Sequence, residues 1–146
     1  MKKIIVSLTL ATLFLACIAF AERKFTISGV VEISEEADLI VCLFNQQTWP
    51  SWKKASPQLP FTQILKADRS GKRSFVFKQV PRGEYIIFAF ADTNGNGKLD
   101  CDAEGWMQEP ISSHKPPLSG AAPSLNWYDQ KFMVDKDIDG IAMEMY

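Results

Sequence analysis

The sequence predicts an all-β chain: an antiparallel β-sandwich of about seven strands. Three observations predict it. Apolar residues recur with a period of two through Phe25, Ile27, Val31 and Ile33; short apolar runs alternate with Gly, Pro, Asp and Ser turns; and no amphipathic helical period is sustained.

The first element is not part of that sandwich. Lys2 and Lys3 lead into an apolar run ending in Ala19-Phe20-Ala21, so residues 1–21 read as a secretory signal peptide cleaved after Ala21. The run is short for a span of ~20 residues and has no basic stop-transfer flank before Glu22, which argues against a membrane anchor. Leu15-Ala16-Cys17 offers the alternative of a lipoprotein acylated at Cys17. Residues 22–146 then form one exported domain, periplasmic or secreted, with no membrane span after cleavage.

The 16 basic and 17 acidic residues nearly balance, and losing Lys2 and Lys3 tips the remainder acidic. Such a chain has no electrostatic footprint for nucleic acid or an anionic membrane surface. Cleavage leaves Cys42 and Cys101 in a compartment that permits disulfides. A bridge between them and two free thiols both remain open, because Cys42 lies in an apolar strand and Cys101 in a polar loop.

The strands follow in order. Phe25 to Ile33 alternates around Gly29, and Asp38 to Phe44 is too short for a helix and rich in β-formers. Phe61 to Leu65 is a weaker third. Asp68-Arg69-Ser70-Gly71-Lys72 is turn chemistry before Ser74 to Val80, and Val80-Pro81-Arg82-Gly83-Glu84 reverses the chain again. Tyr85 to Ala91, apolar on both faces, should be the central, fifth strand. From Asp92 to Tyr128 the pattern stops, which in a compact domain marks a functional or ion-organised loop. Gln130 to Val134 and Ile141 to Met145 close the chain around the polar turn from Asp135 to Gly140.

The sharpest chemistry opens that long loop. Hard cations need several oxygens from a short stretch, and Asp92, Asn94 and Asn96 fall at positions one, three and five of a calcium loop. Gly97 supplies the turn at six, Lys98 a backbone carbonyl at seven and Asp100 position nine. Position twelve, normally a bidentate Glu, is Ala103, with Asp102 and Glu104 on either side as candidate substitutes. The competing reading is two surface turns, since Asn94-Gly95 and Asn96-Gly97 both favour positive φ. Calcium would order the loop, with the weak affinity of extracellular modules.

Ser112, Ser113 and His114 invite a nucleophile-and-base reading, but no nucleophile elbow or second histidine supports it, and no catalytic residue is assigned. Trp49, Trp52 and Trp106 lie outside the strands, as does Trp127. The first three could stack on a glycan or anchor a protein partner, or they could roof the ends of the sandwich. The leading reading is a non-catalytic module with a calcium loop and a structural or partner-binding role; the alternative is a carbohydrate-binding or adhesive module.

From Val80 onward the chain resembles a bacterial family of exported proteins, the domain of unknown function numbered 2141. Val80-Pro81-Arg82-Gly83-Glu84-Tyr85, the apolar strand, Asp92 to Asp100, Glu109-Pro110 and the last two strands carry the resemblance. It implies a transthyretin-like or prealbumin-like sandwich, similar to carboxypeptidase regulatory domains, with no established activity. The Gln46 to Pro60 insertion and the two cysteines depart from that pattern.

Overall fold

A computed structural model of the chain describes residues 22–54, 59–67, 71–115 and 125–145. The expected signal peptide over residues 1–21 and the Cys17 alternative fall outside the described residues. Among those described, eight strands form: β1 (Lys24–Ile33), β2 (Asp38–Asn45), β3 (Thr62–Leu65), β4 (Gly71–Pro81), β5 (Gly83–Asp92), β6 (Ile111–Ser113), β7 (Phe132–Val134) and β8 (Ile138–Glu144). A 3-10 turn (Trp49–Lys54) follows β2, and one helical turn, α1 (Trp127–Gln130), precedes β7. The strands make two sheets, ordered β4-β1-β8 and β3-β2-β5-β6, with β7 also pairing β5.

The additional strand is β6, inside the stretch read as patternless. Its three residues are too few to show a period, and they are extended because β5 offers them an edge: Phe88 pairs Ser113 and Phe90 pairs Ile111. Gln130, expected to open a strand, ends α1 instead; Asn126 caps that turn by accepting the Tyr128 N–H at 2.9 Å.

One pairing departs from the antiparallel expectation. The chain crosses from one sheet to the other after β7, and β8 runs parallel to β1. Side chains fix that crossing: Asp137 accepts the Thr26 N–H at 2.8 Å, and Asp139 takes a short hydrogen bond from the Ser28 hydroxyl. Gly29 is required beside it, since a Cβ there would meet the Ile141 carbonyl and lie 2.7 Å from Phe75 Cζ. On the other side of β1, the register with β4 slips between Phe25 and Ile27, opposite Gln79 at φ 60°.

Two hydrophobic clusters use the opposite faces of the larger sheet. Between the sheets lie Ile27, Val31, Phe75 and Phe77 from one side and Leu39, Val41, Ile87 and Ala89 from the other. Outside the larger sheet, Ile40, Cys42, Phe44, Ile86, Phe88 and Phe90 are covered by Trp49, Leu99 and Trp127. β5 is therefore buried on both faces from Tyr85 to Asp92, as its apolar pattern predicts.

Cys42 and Cys101 are free thiols. Burial pushes the Cys42 thiol up to about 11, and its sulfur lies 3.6 Å from the Thr62 hydroxyl.

Candidate metal loop at the end of β5

β5 ends on Asp92, whose side chain is only 5% exposed. Its two oxygens accept the N–H groups of Asn96 (3.0 Å) and Gly97 (2.7 Å), folding the following chain back over the carboxylate. Gly95 and Gly97, at φ 75° and 73°, permit the reversal, which L side chains rarely adopt. Asn94 and Asn96 each close an Asx turn, accepting the N–H of Asn96 at 3.0 Å and of Lys98 at 2.7 Å. Their amide nitrogens both donate to Asp100 Oδ2, at 2.5 and 2.7 Å. Asp92, Asn94, Asn96 and Asp100 are thus brought together by the loop, as their spacing predicts.

Asp102 and Glu104 are placed differently. After Asp100 the chain makes a small hairpin, bridged at Cys101 and Met107, in which the Asp102 N–H donates to the Trp106 carbonyl at 2.9 Å. The Asp102 carboxylate is spent inside it, accepting the Trp106 N–H at 2.7 Å and Gln108 Nε2 at 3.2 Å. Glu104 is exposed within the same hairpin.

The hairpin returns the chain so that Glu109 reaches the loop. Glu109 is 5% exposed; one oxygen accepts the Thr93 N–H at 3.0 Å and the other the Asp100 N–H at 3.2 Å. Burial pushes its pKa up, against the lowering effect of those two N–H groups, and the neighbouring Asp92 and Asp100 charges push it further up. Sequence spacing missed Glu109 because the hairpin separates it from Asp100. The available signal was a Glu directly before Pro110 in a polar loop.

Two carboxylates are thus nine-tenths buried with neutral donors as their hydrogen-bond partners. No salt bridge among the described residues reaches Asp92 or Glu109. The cross-strand neighbour of Asp92 is Asp38, itself acidic, and Lys66 is engaged with Asp38 at 2.7 Å. Buried charge of this kind ordinarily has a cation beside it. Among the described residues no three His, Cys, Asp or Glu side chains form a ready-made metal cage, so a cation here would draw on the Asn amide oxygens and the Lys98 carbonyl as well.

This loop lies within the segment that identifies the chain. Residues 26–139 match the family described as "Uncharacterized protein conserved in bacteria (DUF2141)". The chain belongs to that family. No curated protein and no solved structure matches it. The DUF2141 segment runs from β1 to the start of β8 and includes all the loop residues named above.

The other candidate residues of this DUF2141 chain are scattered. Trp49 is 6% exposed, stacks on Trp52 with centroids 6.0 Å apart, and meets Phe44 and Phe88 edge-on. The pair roofs a face of the larger sheet rather than an end of the sandwich, because that face carries Phe44 and Phe88 and needs covering. Trp106, 56% exposed on its hairpin, is open to a partner. A shallow polar cleft of about 330 Å³ is lined by residues 45–47 and 82–85, and none of the three tryptophans borders it.

Ser113 closes β6 and His114 follows it in a bend. The Ser113 hydroxyl is held by Gln130 at 2.5 Å, while His114 packs edge-on to Phe132 at 5.2 Å. Burial, with Lys115 adding to it, lowers the His114 pKa, and its buried Nδ1 has no hydrogen-bond partner among the described residues. The Ser113 hydroxyl thus donates to Gln130 and not to His114.

Proposed function

We propose that this DUF2141 chain is an exported, non-catalytic β-sandwich module, transthyretin-like in kind, whose loop after β5 binds calcium. The ligands in this reading are the side chains of Asp92, Asn94, Asn96 and Asp100, the Lys98 carbonyl, and Glu109 in the role of the closing carboxylate. The observation that carries it is the burial of Asp92 and Glu109 with no salt bridge to either among the described residues. The bound ion would balance that charge and order the loop from which the Trp106 hairpin projects. A protein or glycan partner would then dock on Trp106, whose flat exposed ring suits either.

Calorimetric titration of the purified protein with calcium tests the site. Binding at roughly 10⁻⁴–10⁻³ M is expected, the range of extracellular modules, and Glu109→Gln should weaken it at least about ten-fold. No heat of binding in the wild type at millimolar calcium, or an unchanged affinity in Glu109→Gln, rejects the site or the role of Glu109 respectively. Mass spectrometry of the protein exported from cells tests the processing. An N-terminus at Glu22 is expected, and a diacylated Cys17 would replace this with a membrane-tethered lipoprotein.

A further inference from the structure

β4 is the edge strand of the three-stranded sheet, so among the described residues alternate N–H and C=O groups along it have no neighbouring strand. Such a row is a template on which another strand can pair. The sequence of β4 makes the hazard specific: Ser74-Phe75-Val76-Phe77 is uncharged and rich in β-formers, and Val76 is an exposed hydrophobic residue on it. Lys72, Arg73 and Lys78 flank that run but leave its middle bare.

The middle is occupied by a side chain. Gln63, on β3 at the edge of the other sheet, donates from Nε2 to the Val76 carbonyl at 2.7 Å and accepts the Val76 N–H on Oε1 at 2.9 Å. One amide group thereby satisfies both edge groups of Val76, as a neighbouring strand would. The same flank is tied by Arg73, whose Nη1 donates to the carbonyls of Ala37 at 2.5 Å and Leu65 at 3.3 Å. β3 and β4 therefore meet through side chains where a backbone ladder would otherwise continue.

We propose that Gln63 guards the β4 edge against strand pairing with a second copy of this chain. Its amide holds the two groups an incoming β4 would need at the centre of its register. The flanking lysines and Arg73 discourage pairing toward the ends of the run, so Gln63 covers the position that charge does not.

Gln63→Ala and Gln63→Met test this, the second keeping side-chain length while losing both polar atoms. Sedimentation across a concentration series should show self-association of both variants beyond that of the wild type. Amide exchange at Val76 should quicken in the dilute variants and slow again in the assembled species, together with Ser74 and Lys78. Adding Val76→Lys to Gln63→Ala should return the wild-type association state. If both single variants sediment as the wild type does, or associate while the β4 amides stay unprotected, the proposal is overturned.

Discussion

β5 and the loop that leaves it are consecutive in sequence and are held by different physics. From Tyr85 to Asp92 every residue of β5 is buried, with Ile86, Phe88 and Phe90 on one face and Ile87, Ala89 and Ala91 on the other. Residues 93–96 are exposed, and their order comes from hydrogen bonds accepted by Asp92, Asn94 and Glu109. Apolar burial is indifferent to ions and protons; a carboxylate network is not. The fold and its candidate site can therefore be perturbed separately.

The largest effect is expected in the strand. Phe88→Ala removes the ring that Trp49 and Trp52 meet edge-on and should cost about 3–5 kcal/mol, with or without calcium. Chemical denaturation measures it. A loss that calcium restores would mean that strand and loop are not separable.

Asp92→Asn comes next, since it keeps shape and removes the buried charge. It should weaken calcium binding by roughly ten-fold or more, about 1.4 kcal/mol, as each carboxylate adds to affinity. In chelator the variant should itself be less stable by about 1–3 kcal/mol, because the Asn amide nitrogen cannot accept the Asn96 or Gly97 N–H that a carboxylate oxygen holds. A calcium increment equal to that of the wild type on top of that loss would remove Asp92 from the ion.

Protons should compete with the ion. Because the pKa of Glu109 is raised from its ordinary 4.5, the folded state holds that proton more tightly than the unfolded chain. Its stabilising contribution is complete below the ordinary value and is lost as pH rises through the raised one. Calcium should compensate in that upper range, so the calcium-induced rise in melting temperature should shrink as pH falls through the raised pKa. Asp38 has the opposite sign: Lys66 holds its pKa below 3.8, so its contribution is present above that value and is lost in acid. A calcium increment that does not change as pH falls from neutral to the ordinary 4.5 would separate Glu109 from the ion.

The smallest effect belongs to Trp106→Ala. With its ring exposed, stability should change by no more than ~0.5 kcal/mol, whereas Trp49→Ala should cost about as much as Phe88→Ala. Equal losses at the two tryptophans would contradict their different burial.

Much of this contrast was legible in the sequence, for identifiable reasons. A strand apolar on both faces has to be central, and β5 is. Oxygen-bearing residues at alternate positions converge when glycines allow a sharp turn, as Asp92, Asn94 and Asn96 do with Asp100. What escaped was set by partners distant in the chain. Three residues make β6 a strand only because β5 has a free edge, and β8 is parallel because the chain changes sheets before pairing β1. Glu109 escaped because position counting assumes a continuous loop, and the Cys101–Met107 hairpin interrupts it. A roof of tryptophans was expected at the ends of the sandwich, and that Trp49 and Trp52 cover a face instead escaped because period-two patterning does not say which sheet face needs a cover.

The central claim, that the loop is completed by a cation, is tested most directly by melting the wild-type protein in millimolar calcium and in chelator at neutral pH. An ion that binds only the folded state at about ten times its Kd contributes roughly 1–2 kcal/mol. The melting temperature should rise by several degrees, about 3–6 °C for a domain of this size. His114→Ala should leave that increment intact, and Asp92→Ala should abolish it. Equal melting temperatures in calcium and chelator would contradict the claim and leave Asn94-Gly95 and Asn96-Gly97 as turns closed by their own side chains.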